Sequence, residues 1–267
     1  MDTGVLDSPP ASPSPGGAAQ PWGGRRRAGA VLRASHAVYY GPATPAALGA
    51  LEGFGTVIVQ SGLYDPTDLH ALRGSGTRVL GYLSVGEDHS LGDRACVPGA
   101  EPFHRAVNPA WGSVTVNAGH PAWRDLLLAR AGDALAHTDG LLLDTLESAE
   151  AGATLDRVRD LRAGWPGARL LANRGFAVLA GLAPLADGVL IEAFGTTHAP
   201  RYAPHDPAGH AYVAHWLARC RAAGLEVLAL DYADTPHLAA RAHAHAARRG
   251  VPTFVTDRAL SLPAGWS

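Results

Sequence analysis

The sequence predicts an α/β fold, a (β/α)8 TIM barrel that lacks a full eighth helix and follows a disordered N-terminal tail. Short apolar runs alternate with amphipathic helical segments along most of the chain. Several of these runs end in a carboxylate, as Gly-Leu-Leu-Leu-Asp does at residues 140–144. That pattern is typical of parallel strands that are buried on both faces and whose carboxyl ends form a site. The length of 267 residues is close to the ~250 that such a barrel needs.

The strand and helix signals follow one another in the order that a barrel requires. The predicted strands are 37–40, 56–60, 78–84, 140–144, 169–173, 188–192, 226–231 and 251–256. The predicted helices are 45–51, 65–72, 121–137, 155–163, 176–185, 209–223 and 235–249. Only ten residues follow Asp257, too few for an eighth helix. An open doubly wound sheet is the competing architecture, and the lack of a Gly-x-Gly-x-x-Gly turn after the first strand argues against it.

Composition divides the chain into two parts. Residues 1–30 are rich in Pro, Ala, Gly and Ser and cannot bury enough apolar surface to fold, so we expect a disordered tail. Residues 31–267 form the barrel domain, with long loops at 86–119 and 195–207. No apolar run approaches the ~20 residues of a membrane span, and no signal peptide is visible.

Composition also excludes several chemistries. The chain contains no lysine, which removes Schiff-base and pyridoxal-phosphate catalysis as well as Walker-type phosphate binding. A formal net charge of −2 gives no basic excess for nucleic acid. Cys96 and Cys220 have no metal-ligand spacing, and we expect two idle thiols, with a disulfide as the alternative. We expect no cofactor.

Polar side chains gather where the predicted strands end. They are Tyr40, Gln60, Tyr82, Ser84, Glu87, Asp144, Asn173, Glu192, Asp231 and Tyr232. Glycoside hydrolysis requires a pair of carboxylates, one to attack or activate water and one to protonate the leaving oxygen. Asp144 and Glu192 lie two strands apart, so they can face each other across the barrel mouth. A single acidic strand end could instead merely cap the next helix, but a set of them favours a shared cleft.

Metal-assisted hydrolysis is the rival enzymatic interpretation, because the chain has 13 histidines. His243 and His245 form a His-x-His, but residues two apart on a helix point away from each other. We therefore expect both to face solvent, and we predict no metal site. Serine hydrolase chemistry lacks a Gly-x-Ser-x-Gly turn.

Several of these segments resemble glycoside hydrolase family 114, the endo-α-1,4-polygalactosaminidase group. Residues 81–87, Gly-Tyr-Leu-Ser-Val-Gly-Glu, resemble its Gly-Tyr-(Leu/Phe)-Ser-x-Gly strand, and residues 140–144 resemble its Gly-(Val/Leu)-(Phe/Leu)-Leu-Asp strand. Residues 171–175, the strand that ends at Glu192, and residues 230–233 follow in the matching order. The resemblance covers about residues 36–258.

The resemblance implies a TIM barrel that cleaves α-1,4-linked, galactosamine-containing polysaccharide by a retaining mechanism. Asp144 would be the ionised nucleophile and Glu192 the protonated general acid/base. Tyr40, Tyr82, Asn173, Asp231 and Tyr232 would line the sugar subsite. Carboxylates around the cleft would attract a cationic amino sugar. The resemblance also implies export. The alternative function is a carbohydrate-binding barrel that has lost turnover, and the sequence does not specify the oligomeric state.

Overall fold

The computed structural model describes residues 34–90 and 95–266, so the predicted tail at 1–30 lies outside the described residues. Within that part of the chain the strands are β1 (Ala34–Tyr39), β2 (Phe54–Val59), β3 (Arg78–Ser84), β4 (Glu87–Asp88), β5 (His104–Asn108), β6 (Ser113–Val116), β7 (Gly140–Asp144), β8 (Arg169–Asn173), β9 (Gly188–Glu192), β10 (Thr196–Thr197), β11 (Ala203–Pro204), β12 (Glu226–Tyr232) and β13 (Thr253–Thr256).

Eight of these strands form one parallel sheet in the order β1-β2-β3-β7-β8-β9-β12-β13. The two end strands, β1 and β13, lie side by side, so the sheet closes nearly completely into a barrel. Neighbouring barrel strands are also consecutive along the chain, apart from the short strands within the loops at 86–119 and 195–207. The predicted TIM barrel is therefore confirmed.

Seven helices connect the barrel strands in the described residues. They are α1 (Pro45–Leu51), α2 (Pro66–Gly74), α3 (Pro121–Leu135), α4 (Ala151–Gly164), α5 (Leu179–Leu182), α6 (Pro207–Ala222) and α7 (Pro236–Arg248). Five of them have proline in their first turn, where its fixed φ suits the helix and its missing N–H is not needed. Between β13 and residue 266 the chain makes turns only, so no eighth helix forms there.

Side chains on the barrel strands alternate between two apolar layers, as the period of two requires. The inner layer fills the barrel with Val38, Ile58, Leu80, Leu142, Leu171, Leu190 and Leu230. The outer layer, which includes Leu141, Leu143, Val189 and Ile191, packs against helix residues such as Leu127, Val158 and Leu217. Each fully buried side chain of this kind stabilises the fold by about 1.5–3 kcal/mol. This alternation also decides which residues at the strand ends point into the barrel mouth.

The structure corrects the sequence-based boundaries at several places. Helix α4 begins at Ala151 rather than 155, because the Glu150 carboxylate accepts hydrogen bonds from the amides of Gly152 and Ala153. The helix expected over 176–185 is a 3-10 turn at Phe176–Val178 followed by the short α5. Tertiary packing and caps, rather than apolar periodicity, determine these ends.

The two predicted loops carry secondary structure of their own. Within 86–119, strands β4, β6 and β5 form a small antiparallel sheet. Within 195–207, β10 and β11 form a hairpin. Both excursions follow the carboxyl end of a barrel strand, so both stand at the rim where such barrels carry their sites. Among the described helices, none is both long and apolar enough to cross a membrane.

Close packing between β7 and β8 makes a prediction about stability. In Gly140→Ala the new Cβ would lie 2.1 Å from the carbonyl oxygen of Arg169, so we expect the free energy of unfolding to fall by about 1–3 kcal/mol. Denaturant unfolding measures the change. Gly49→Ala is the control, since Gly49 lies in α1 and a methyl group added there would have nothing within 4 Å, so this variant should gain about 0.5–1 kcal/mol. Equal unfolding midpoints for the two variants would contradict this account.

Candidate active site

The carboxyl ends of the barrel strands present polar side chains in the inward phase. Seven residues lie two positions beyond an inner-layer residue and therefore point to the same side: Tyr40, Gln60, Tyr82, Asp144, Asn173, Glu192 and Tyr232. All seven line one cleft of about 760 Å³, together with Ser84 and Glu87. The structure thus brings nine of the ten predicted site residues to one cleft. The volume of this cleft lies within the usual range for ligand sites.

Asn173 joins the two predicted catalytic carboxylates. Its Nδ2 donates to Oδ1 of Asp144 at 2.8 Å and to Oε2 of Glu192 at 2.9 Å. The two distances limit the separation of these oxygens to about 5.7 Å. Hydrogen bonds that follow the two diverging N–H bonds of the amide would place these oxygens roughly 5 Å apart. One side chain on β8 therefore sets the spacing of an acid on β7 and an acid on β9.

Each carboxylate also accepts a hydrogen bond from a tyrosine, on the oxygen that Asn173 does not contact. The Tyr82 hydroxyl donates to Oδ2 of Asp144 at 3.0 Å, and the Tyr232 hydroxyl donates to Oε1 of Glu192 at 2.5 Å. Burial raises the pKa of both phenols well above the ordinary value, and the neighbouring carboxylates raise it further. Both hydroxyls therefore stay protonated and act as fixed donors.

Burial also acts on Asp144. Desolvation raises the pKa of this carboxyl, and the Glu192 carboxylate raises it further, whereas hydrogen bonds from the Thr145 backbone, Asn173 and Tyr82 lower it. The raising effects are the larger ones. The expectation that Asp144 is ionised therefore holds only above this raised pKa.

The backbone adopts an unusual conformation directly after the two carboxylates and after the asparagine that joins them. Thr145, Arg174 and Ala193 follow Asp144, Asn173 and Glu192 directly, and they have φ values of 59°, 56° and 53°. Non-glycine residues rarely adopt this left-handed region, and each such residue costs about 1–3 kcal/mol. Backbone strain thus recurs at the same position on three adjacent strands, where the candidate chemistry lies.

Thr145 secures one of these turns. Its Oγ1 accepts from the amide of Gly86 at 2.8 Å and lies 2.8 Å from Oγ of Ser84. Ser84 Oγ also donates to the carbonyl of Glu87 at 2.7 Å. The predicted site residue Ser84 therefore connects the segment that follows β3 to the turn after Asp144.

Glu87 lies in the cleft wall with 5% of its surface exposed. Hydroxyls of Ser113 and Ser148 donate to its carboxylate at 2.5 and 2.7 Å, and the Asn108 amide contacts both oxygens at 3.3 Å. Neutral donors thus hold this carboxylate in place. None of these three partners of Glu87 is a cation, so the Glu87 carboxylate adds negative charge to the cleft.

The remaining predicted wall residues are aromatic and amide groups. The ring of Tyr40 packs edge-on against Tyr82 with centroids 5.0 Å apart, and burial raises the pKa of the Tyr40 phenol. Gln60 lines the cleft beside Tyr82. Together they form the wall on the Asp144 flank.

Asp231 does not line the cleft, in contrast to the prediction. Leu230 and Tyr232 occupy the inward phase of β12, so the side chain between them points outward. Its Oδ1 accepts from the amides of Gly195 and Thr196 at 2.6 and 2.9 Å and from the Thr196 hydroxyl. Asp231 therefore anchors the start of the β10–β11 excursion instead of facing a sugar.

Sequence reasoning also missed or misplaced other groups. His198 and Arg258 line the cleft but carried no sequence signal, since both lie outside the barrel strands. Asp257, which follows the last barrel strand, accepts hydrogen bonds from the backbone and hydroxyl of Ser261. His245 is buried rather than solvent-facing: it stacks on His210 with ring centroids 4.4 Å apart, and burial lowers its pKa to about 4.

Potential metal ligands meet at one place in the described residues, namely Asp88, Cys96 and His104. Both carboxylate oxygens of Asp88 already have partners. Arg130 Nη2 lies 2.7 Å from Oδ1, and Nε2 of His104 lies 3.0 Å from Oδ2. The guanidinium pairs with the buried carboxylate, so Asp88 belongs to an ion-pair network. Cys96 and Cys220 are both free thiols.

The contacts of Asp231 predict a structural role that can be measured. Asp231→Ala leaves two buried amides and the hydroxyls of Thr196 and Thr253 without their acceptor, so we expect the free energy of unfolding to fall by at least about 1–3 kcal/mol. Asp231→Asn keeps an acceptor oxygen and should restore most of this loss. Unfolding curves of both variants provide the measurement. An unchanged midpoint for Asp231→Ala would show that these hydrogen bonds contribute little.

The raised pKa of Asp144 predicts how stability depends on pH. The folded protein holds the Asp144 proton more tightly than the unfolded chain, so the group's contribution is full below its ordinary pKa of 3.8 and is lost as the pH rises through the raised pKa. Asp144→Asn lacks this loss. We expect its unfolding free energy to gain on that of the wild type as the pH rises above 3.8. A difference that stays constant or shrinks with pH would contradict the burial argument.

Solved structures provide the comparison with known proteins. The glycoside hydrolase domain of PelA from Pseudomonas aeruginosa is 29% identical, with a TM-score of 0.74, and the match covers 85% of this chain and 96% of that one. A variant of the same domain with one glutamate changed to alanine matches at 28% identity and a TM-score of 0.73, with the same coverage.

A second solved structure shares the fold. Ega3 from Aspergillus fumigatus, solved in complex with galactosamine, is 12% identical with a TM-score of 0.62, and the match covers 86% of this chain and 92% of that one. No protein-family model matches the chain, and a search of curated proteins finds no match. The solved structures confirm the predicted resemblance to glycoside hydrolase family 114 and the prediction that the chain is a glycoside hydrolase.

Proposed function

We propose that this protein is a retaining glycoside hydrolase that cleaves α-1,4-linked, galactosamine-containing polysaccharide, with Asp144 as nucleophile and Glu192 as general acid/base. The carboxylate pair bridged by Asn173 carries the proposal. Its facing oxygens are at most about 5.7 Å apart. Retaining enzymes hold their carboxyl groups about 5–5.5 Å apart, whereas inverting enzymes need about 6.5–9.5 Å to admit a water molecule. The spacing therefore favours retention.

The reaction has two steps. An oxygen of Asp144 bonds to the anomeric carbon while the bond to the leaving oxygen breaks, and Glu192 transfers its proton to that oxygen. The resulting glycosyl ester is then attacked by water, whose proton returns to Glu192 as the ester bond breaks and the Asp144 carboxylate is released. Two inversions restore the starting anomeric configuration.

The hydrogen bonds suit these roles. Tyr82 and Asn173 each donate to one oxygen of Asp144, which stabilises the charge that returns when the ester breaks. Tyr232 and Asn173 hold Glu192 in one rotamer. Both acids are therefore oriented before substrate binds, and little reorganisation accompanies the reaction.

The charge of the cleft supports a cationic sugar. Four acidic residues, Glu87, Asp144, Glu147 and Glu192, line the cleft together with two arginines, Arg174 and Arg258. A partly buried acidic cleft attracts an ammonium group more strongly than exposed charges would. A bound ammonium would also favour the ionised form of Asp144. The PelA domain is a glycoside hydrolase and Ega3 was solved with galactosamine, which supports the same substrate class.

Other cleft residues receive proposed binding roles. Tyr40, Gln60 and Ser84 lie on the Asp144 flank and offer hydroxyl and amide groups to the sugar bound there. Glu87 contributes its negative charge, since neutral donors already occupy its oxygens.

Incubation with α-1,4-linked polygalactosamine tests the proposal. We expect oligosaccharides to be released and the first product, observed by proton NMR, to have the α-configuration. Glu192→Gln should lower kcat/KM for the polymer by about 10²–10⁴-fold, and Asp144→Asn by at least as much. The loss in Glu192→Gln should be smaller for α-galactosaminyl fluoride, because fluoride leaves without being protonated.

Asp125→Asn is the matched control, since its side chain on α3 is 77% exposed, and it should retain full activity. A first product of β-configuration would overturn the retaining mechanism. Saturable binding of the polymer without release of oligosaccharides would instead support the carbohydrate-binding alternative.

A further inference from the structure

Trp111 is a large aromatic side chain that the proposed chemistry does not use. It stands in the turn between β5 and β6, exposes 58% of its surface and lines the cleft. An apolar ring of this size is usually buried. Its exposure at the mouth of a polar cleft suggests a surface that a ligand covers.

Contacts from elsewhere in the chain hold this ring in place. The guanidinium of Arg258 lies over the indole, 4.8 Å from the ring centroid, and donates to the carbonyl of Ala110 at 3.1 Å. The backbone amide of Arg258 donates to the Tyr202 hydroxyl at 2.8 Å. A ring positioned in advance loses little conformational entropy when a ligand packs against it.

Trp111 lies on the Glu192 flank of the cleft. His198 lies between Trp111 and Tyr232. Its ring centroid is 6.1 Å from that of Trp111 and 4.6 Å from that of Tyr232. Tyr232 in turn donates to Glu192. The opposite flank holds Asp144, Tyr82 and Tyr40.

We propose that Trp111 is a platform that binds a sugar ring on the leaving-group side of the cleaved bond. This inference rests on the proposed function, in which Glu192 protonates the leaving oxygen, so the departing part of the chain lies on the Glu192 flank. One face of a pyranose ring presents C–H groups that pack against an indole. Arg258 supports the indole and His198 borders it, so the exposed part of the ring receives the sugar.

The test compares two substrates. In a galactosamine oligosaccharide the leaving group is a sugar that reaches Trp111, whereas in α-galactosaminyl fluoride the leaving group is a single atom that cannot. We expect Trp111→Ala to lower kcat/KM for the oligosaccharide by about 3- to 10-fold and to leave kcat/KM for the fluoride unchanged. Trp111→Phe, which keeps an aromatic ring, should recover most of the loss.

Val107→Ala is the control, because Val107 lies on the same hairpin and is 55% exposed without lining the cleft, and it should not change either rate. Equal losses on both substrates, or unchanged rates on both, would overturn the platform while leaving the proposed function intact. If the wild-type protein turns over neither substrate, the proposed function fails and the platform fails with it.

Discussion

The fork of hydrogen bonds from Asn173 is the constraint on which the site depends. Two carboxylates in one buried cleft repel each other and lose hydration, and the raised pKa of Asp144 reflects both costs. An amide donates two hydrogen bonds at a set angle and has no charge to titrate, so it joins the acids at a separation that changes little with pH. Since β8 lies between β7 and β9, its last residue is the one able to do so.

The strained turns and the buried carboxylate of the site destabilise the fold, and the packing of the barrel offsets this cost. Thr145, Arg174 and Ala193 have left-handed backbones directly after the three bridged residues, and the site buries a carboxylate besides. The parallel ladder and the two apolar layers hold the strands so firmly that their ends can turn in unfavourable conformations. Functional sites commonly trade stability for geometry in this way. The recurrence of one strained turn on three adjacent strands indicates that the turns orient Asp144, Asn173 and Glu192.

Much of the fold and the centre of the candidate site could be predicted, because both follow from period-two alternation in apolar strands. Asp144, Asn173 and Glu192 each stand two residues beyond an inner-layer leucine. The same rule, applied to β12, would have excluded Asp231, since Leu230 and Tyr232 already occupy the inward phase. His245 could also have been recognised as buried, because it lies three residues after Ala242 and shares the apolar face of α7. In both cases the direction of the side chain, set by the period of the strand or helix, determines whether the residue faces the cleft, the solvent or the core.

The rest of the site depends on contacts that no local period encodes. Arg258 and Ala110 are 148 positions apart, and they meet because two rim segments pack on each other above the barrel. Short strands such as β4 and β10 have two residues each, too few to show alternation. In barrels of this kind the strand ends carry the chemistry and the excursions above them vary. In the function proposed above the bridged acids cleave the glycosidic bond, and we expect the segments around Trp111 and His198 to decide which polymer reaches them.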